Sequence, residues 1–457
     1  MRKAWVCLVL VMCLYCSSAL AVVFPVTEQE KIKPEYLLEN RTYAAMPSVE
    51  ITGSRIWATW TAGGDTEPHD ENYIIVVFSD DGGETWQDPY MILDPGAIGR
   101  TSNSVFWLAP NGRLWLFYVD RNSYSMYTDN PEAAPEDIVW SKAKNLDGFT
   151  LYNKPIAVER SGEWVYMAPV ANSFAHPVTQ ILTSDPSANK WKLLRGQYLE
   201  SDNPRADFTE PSMVERSDGT LWLLSRLEKG ANGGVEQAFS QDDGKTWTEL
   251  EDDLPYPLQG PGSRFQFYKL QSGHLVWVSH DQTSSRTNLT IWLSEDDGVT
   301  WPYKLLLDDR SNVSYPDITQ AADGKIYVIY DKGRSVEQEI RLAIFTEEDI
   351  RAGMFVTEDS RQRMPVTQNI GYTDILSFEE IYEQKVAVSD ESALEAVRES
   401  LPTVLHGMTD EGETVILKGE WKITDRSDEG AKIRFFTEMP EKIQDLYSLL
   451  TVEVSIK

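Results

Sequence analysis

The chain has 457 residues, enough for one large domain and a smaller companion. Its formal charge is −30 at pH 7, a surface that repels nucleic acid and anionic membranes and argues against both as partners. All three cysteines (Cys7, Cys13 and Cys16) lie near the start, so the rest of the chain can form no disulfide, thiolate metal site or cysteine nucleophile.

In chain order, residues 1–21 read as a secretory signal peptide. Arg2 and Lys3 precede the apolar run "AWVCLVLVMCLYC", and Ala19-x-Ala21 offers a cleavage pattern. No later run is long and apolar enough to span a membrane after cleavage. The expected localisation is export, to the periplasm, the cell surface or the medium.

Residues 22–365 carry a repeat. A turn followed by an aromatic-rich strand recurs six times, centred on Ile56, Leu114, Trp164, Leu221, Leu275 and Ile326. Successive gaps are 58, 50, 57, 54 and 51 residues. Self-similarity at a fixed period indicates a repeat architecture. Each unit reads as short β-strands joined by Gly-containing turns. Units of this length with four strands each are propeller blades. The expected fold is all-β: a six-bladed β-propeller over 22–365, then a small C-terminal β-sandwich (Ig-like) module over 380–457. Within that module, "SDESALEAVRESLP" (Ser389–Pro402) reads as a short capped helix.

Three stretches repeat more closely. "SDDGGETW" (Ser79–Trp86), "SQDDGKTW" (Ser240–Trp247) and "SEDDGVTW" (Ser294–Trp301) all read S-x-D-x-G-x-T-W. Degraded copies stand near Tyr127 and over Ser184–Trp191. Asp, Ser and Thr side chains bond local backbone in tight turns. Glycine supplies a backbone angle that other residues resist, and the Trp is large enough to fill a gap between units. The motif reads as a folding staple. It lacks the ligand alternation of an EF-hand calcium loop, and neither a metal nor an organic cofactor is implied.

This motif resembles the Asp box of sialidases and related BNR-repeat proteins, and the resemblance covers roughly Pro34 to Ile350. It implies a six-bladed propeller whose Asp boxes lie away from the active site, and an exo-glycosidase acting on a glycan. The site would form where the first strands of the units converge. Tyr315, before a Pro at the start of the sixth unit, matches the family's nucleophile. Glu210, likewise before a Pro in the fourth, matches the base that takes its proton. A sialic acid carries a carboxylate on the reacting carbon, which would repel a carboxylate nucleophile; a phenol activated by a neighbouring base avoids this.

The resemblance also implies three arginines that grip the substrate carboxylate, since a guanidinium fork fits it in a bidentate way. Arg226 and Arg286 match two of them. The third belongs to an Arg-Ile-Pro sequence, and here the stretch is Ala45-Met46-Pro47. Arg41 and Arg264 are the candidates to compensate. The acid/base would come from the loop "TAGGDTEPHDENYIIVV", where Asp70 fits best by its distance to the next strand and Glu67 is the rival. His280 lies near Arg286, in reach of substrate. The implied function is removal of a terminal acidic, sialic-acid-like sugar by a retaining mechanism. Two other readings stay open: a glycosidase retuned to another sugar through a carboxylate pair such as Glu67 and Glu210, and a glycan-binding propeller without catalysis.

Overall fold

The computed structural model describes residues 21–23, 33–37, 40–94, 101–120, 122–146, 148–172, 178–201, 203, 210–227, 234–367, 375–378, 385–389, 391–409, 414–427, 430–437 and 450–456. Residues 1–20, which hold most of the expected signal peptide, lie outside them.

Among the described residues, the strands up to residue 367 form six antiparallel sheets in succession. Their innermost strands are Ala44–Thr52, Thr101–Leu108, Ile156–Arg160, Ser212–Glu215, Gln266–Lys269 and Val313–Gln320. The second strands are those marked by the aromatic repeat, for instance Arg55–Ala62, Leu221–Arg226 and Ile326–Lys332. These strands are buried along nearly their whole length, so their sequences run apolar on both faces instead of alternating.

Six hydrophobic clusters join the sheets, each straddling two neighbours. One holds Phe106, Leu114 and Leu116 of the second sheet against Ile74, Val76 and Tyr90 of the first. Another packs Ile329, Ile340 and Leu342 of the sixth sheet against Ile56, Ile75 and Trp86 of the first. The last sheet therefore meets the first. This is a β-propeller-like fold of consecutive antiparallel sheets.

The repeated motif acts at the sheet margins. Asp81 accepts from Thr85 N at 2.9 Å and Thr85 Oγ1 at 2.5 Å, while Ser79 Oγ donates to Asp81 at 2.7 Å and accepts from Gly83 N at 2.9 Å. The same bonds recur around Asp242 and Asp296. Each turn thus satisfies its own polar groups. Gly298, at φ 87°, needs to be glycine twice over: a Cβ there would stand 2.3 Å from Cζ3 of Trp222 on the preceding sheet. Trp86 and Trp247 are buried between adjacent sheets. In the degraded fourth-strand region of the second and third sheets, Trp191 takes the equivalent place among Trp107, Trp115 and Tyr166.

Among the described residues beyond 367, six strands join in one order, in which Lys385–Val388 pairs parallel with Thr451–Ile456. The expected helix forms over Glu391–Ser400, and its Leu394 joins Trp421, Ile433, Phe435 and Val452 in one core. The strand order runs through the 14-residue strand Thr414–Ser427, which pairs with Val404–Thr409 along its first part and with Gly430–Thr437 along the rest, and a helix contributes to the core. No helix among the described residues is long and apolar enough to cross a membrane.

Candidate active site

The inner strands of three sheets begin with a distortion. Register shifts fall between Ala45 and Ser48, between Ser102 and Val105, and between Ser314 and Asp317. Inside each lies a non-glycine residue with left-handed backbone: Met46 at φ 56°, Asn103 at 47° and Tyr315 at 50°. A bulge of this kind re-aims a side chain that regular pairing would direct into the sheet, and the conformation costs an L-residue about 1–2 kcal/mol. The strain is offset locally. Asp331 accepts from Met46 N at 2.9 Å and from Ser314 Oγ at 2.5 Å, and so ties the first bulge to the sixth.

Tyr315 is the focus of the resulting constellation. Its ring is buried and faces four guanidinium groups: Arg334 at 4.0 Å from the ring centre, Arg264 at 4.9 Å, Arg286 at 5.2 Å and Arg226 at 5.8 Å. Arg226 Nη1 donates to the phenol oxygen at 2.9 Å and to Glu210 Oε2 at 2.6 Å. Tyr315 and Glu210, 105 positions apart in the sequence, thus share one donor nitrogen. Arg226 Nη2 and Arg286 Nη2 both donate to Gly262 O, at 3.0 and 2.8 Å.

Arg226, Arg286 and Glu67 arrive by the same route. Arg226 ends the second strand of the fourth sheet. Arg286 lies between the second and third strands of the fifth. Glu67 lies between the second and third strands of the first. Tyr43 donates to Glu67 Oε2 at 3.1 Å, and Arg334 Nη1 stands 3.9 Å from Oε1. Burial pushes the Glu67 carboxyl above its ordinary value, with Asp331 and Glu210 adding to the rise and Arg334 and Tyr43 opposing it. The direction of that shift is the one a general acid requires.

Three sequence candidates go elsewhere. Asp70 is exposed and lines a separate cavity of about 420 Å³ with Lys33, Tyr36 and Tyr73. The reason is a turn closed by Asn72, whose side chain accepts from His69 N and donates to Gly63 O and Thr66 O; it leaves Asp70 on the outside and Glu67 on the inside. Arg41 does not approach Tyr315. It donates to both oxygens of Asp88 and to Tyr36 O, with its guanidinium over Trp60. His280 is buried behind the site. Its Nε2 donates to Val313 O at 2.8 Å, and burial lowers its pKa to about 4, so it is neutral at pH 7. Arg264 does reach the Tyr315 ring, but it is fully buried and donates to Asn103 Oδ1, Tyr152 O and Pro47 O at 3.0–3.3 Å.

Two site residues escape the sequence reading. Tyr152 is one: its carbonyl accepts from Arg264, and burial raises the pKa of its phenol, with the carboxylates of Glu210 and Glu67 adding to the rise. Arg334 is the other. It stands between the second and third strands of the sixth sheet, as Arg286 does in the fifth, and that recurrence was the available signal. Among the described residues no group of three or more His, Cys, Asp or Glu is arranged to hold a metal ion.

Residues 54–328 match the model of the BNR repeat-like domain. A sialidase of Micromonospora viridifaciens is 30% identical over 308 residues, 58% of this chain and 46% of that protein. A sialidase of Vibrio cholerae serotype O1 is 25% identical over 273 residues, 50% of this chain and 34% of that protein. These matches span a third to a half of the relatives' length. Among solved structures, the K499G mutant of NanB sialidase from Streptococcus pneumoniae aligns at a TM-score of 0.50 and 16% identity, over 68% of this chain and 70% of that one; this likeness concerns the fold. The match covers more than half of the chain, and the protein belongs to the BNR repeat-like family, within the sialidase-like superfamily.

Proposed function

We propose that the protein is an exported exo-glycosidase of the sialidase type that removes a terminal acidic, sialic-acid-like sugar with retention of configuration. The six sheets are read as the blades of a six-bladed propeller, residues 1–21 as its export signal, and 380–457 as a separate small module. One observation carries the reading: Arg226 Nη1 joins the phenol of Tyr315 to the carboxylate of Glu210 inside a ring of guanidinium groups. That the relatives named above are sialidases supports it.

In this mechanism Tyr315 Oη attacks the anomeric carbon and its proton passes to Glu210. The bond to the leaving oxygen breaks as Glu67 gives that oxygen a proton. Water then attacks the anomeric carbon, Glu67 takes a proton from it, and the phenol leaves and recovers its proton from Glu210. Arg226 places positive charge where the phenol oxygen becomes negative. Arg286 faces the same ring, with Nη2 on Gly262 O, and meets the substrate carboxylate in this reading. Glu67 is preferred to Asp70 as the acid because only Glu67 lies among these groups.

The test is hydrolysis of a fluorogenic sialoside beside a panel of neutral aryl glycosides. Turnover of the sialoside that falls at least about 10³-fold in Tyr315→Phe, with the melting temperature kept, supports the proposal. Turnover of neutral glycosides alone points instead to a retuned site using Glu67 and Glu210. Glycan binding without any turnover points to a non-catalytic propeller.

A further inference from the structure

The strand Ala44–Thr52 brings no cation to the mouth it borders. Ala45 has no exposed surface, and Tyr43, Ala45 and Met46 pack with Tyr315 as an apolar cluster. A guanidinium occupies this neighbourhood all the same. We propose that Arg334 of the sixth sheet is a substrate-carboxylate ligand, completing with Arg226 and Arg286 a three-arginine clamp in place of the residue that Ala45 does not supply. The inference rests on the sialidase reading and names a specificity residue within it.

Three observations lead there. The first is position. Arg334 O accepts from Ala44 N at 3.0 Å, so its loop is fastened to the strand that lacks the cation, and its guanidinium lies 4.0 Å from the Tyr315 ring centre, nearer than the other three.

The second is hydrogen-bonding capacity. Arg334 Nη2 is held by Asp331 and Ser314 Oγ, both at 3.1 Å. Its Nη1 is 3.9 Å from Glu67, beyond hydrogen-bond reach, and its buried Nε has no partner among the described residues. Arg264, by contrast, is committed to three acceptors.

The third is charge. Four guanidinium groups surround Tyr315, and among the described residues the carboxylates paired with or close to them are Glu67, Glu210 and Asp331. That concentration of cations stands in a chain whose net charge is −30. Part-buried cations in excess are costly until an anion meets them. A carboxylate on the sugar is that anion.

The competing role is structural: Arg334 neutralises Asp331, which holds the two bulges together. Affinity separates the two roles. Tyr315→Phe protein, which binds without turnover, is titrated with free N-acetylneuraminic acid and with its methyl ester, in the Arg334 background and with Arg334→Gln or Arg334→Lys added. Melting temperatures are recorded for each. The Arg334 background should prefer the acid. Arg334→Gln should weaken the acid by about tenfold or more, the scale of a lost charged hydrogen bond, and leave the ester within about twofold. Arg334→Lys keeps a cation beside Asp331 and so preserves the fold, yet loses the planar fork, and should fall between the two. An acid-to-ester preference unchanged by Arg334→Lys and Arg334→Gln overturns the proposal while the sialidase reading stands. Binding of neither compound before Arg334 is altered removes that reading, and this proposal with it.

Discussion

Lys154 offers the sharpest test of how the sheets are held around their common centre. Its ammonium is buried and meets four acceptors from three other sheets. These are Val49 O at 2.7 Å, Glu50 Oε2 at 3.2 Å, Phe106 O at 2.6 Å and Asp317 Oδ2 at 3.1 Å. The two carboxylates are as buried as the ammonium and are fixed in turn. Asp317 accepts from Ser48 Oγ at 2.5 Å and Val49 N at 2.9 Å; Glu50 accepts from Thr319 Oγ1 and from Leu108 N. Lys154→Met keeps the length of the side chain and leaves two buried carboxylates without their cation. Breaking a buried ion pair from one side costs about 3–5 kcal/mol. At about 2–4 °C per kcal/mol for large domains, calorimetry should show the melting temperature falling by roughly 6–20 °C. Adding Glu50→Gln and Asp317→Asn removes the stranded charges and should restore more than half of the loss. A single variant that melts within about 2 °C of the wild type, or a triple variant no more stable than the single one, refutes the reasoning.

Two further outcomes follow from the site. Glu67→Gln should lower kcat/KM by about 10²–10⁴-fold on sialosides with sugar leaving groups, much less on an umbelliferyl sialoside, and should abolish the alkaline limb of the pH profile. Asp70→Asn should change neither, and the reverse pattern would return the acid role to Asp70. His280 predicts a pH-dependent stability: the unfolded side chain titrates near 6.5 and the folded one at about 4. Between those values the unfolded chain binds the additional proton, so stability is lost as the pH falls through that window, by at most about 3 kcal/mol. His280→Gln should show a shallower decline in melting temperature from pH 7 to pH 4; an identical decline in both proteins contradicts the assignment.

The fold was legible because the repeat is local. Each turn satisfies its own backbone, and each second strand is buried on both faces, so period and composition announce both. Part of the site was legible for a related reason. Strand starts and the loops after second strands point to one mouth, and the resemblance to sialidases singled out Tyr315, Glu210, Arg226 and Arg286 there, with Glu67 as the rival to Asp70. Asp70, the favoured acid, and Arg41, a candidate for the missing arginine, also stand close in sequence to that mouth, but side-chain partners decide where they turn. Asp88 draws Arg41 outward, and Asn72 closes the turn that excludes Asp70. The Lys154–Glu50–Asp317 cluster gave no sequence signal, because its members come from three sheets and acquire meaning only when buried together.

The division between repeated and unrepeated features has a mechanical logic. The staple at each Asp box closes on itself within eight residues, so copies can be kept, degraded or lost one sheet at a time without consequence for the opposite margin. The mouth depends instead on contacts between sheets: Asp331 links the first and sixth bulges, Arg264 reaches from the fifth sheet to Pro47 and Asn103, and Arg334 is fastened to Ala44. A substitution there is compensated only by a residue from a neighbouring sheet. Ala45 and Arg334 fit that rule. A site assembled from loops on a shared rigid frame can move a charge from one sheet to the next and still present it at the same point in space, even though the two positions lie 289 residues apart in the chain. Sequence motifs that specify the charge by its place in one strand then fail at the very position where the frame has preserved it.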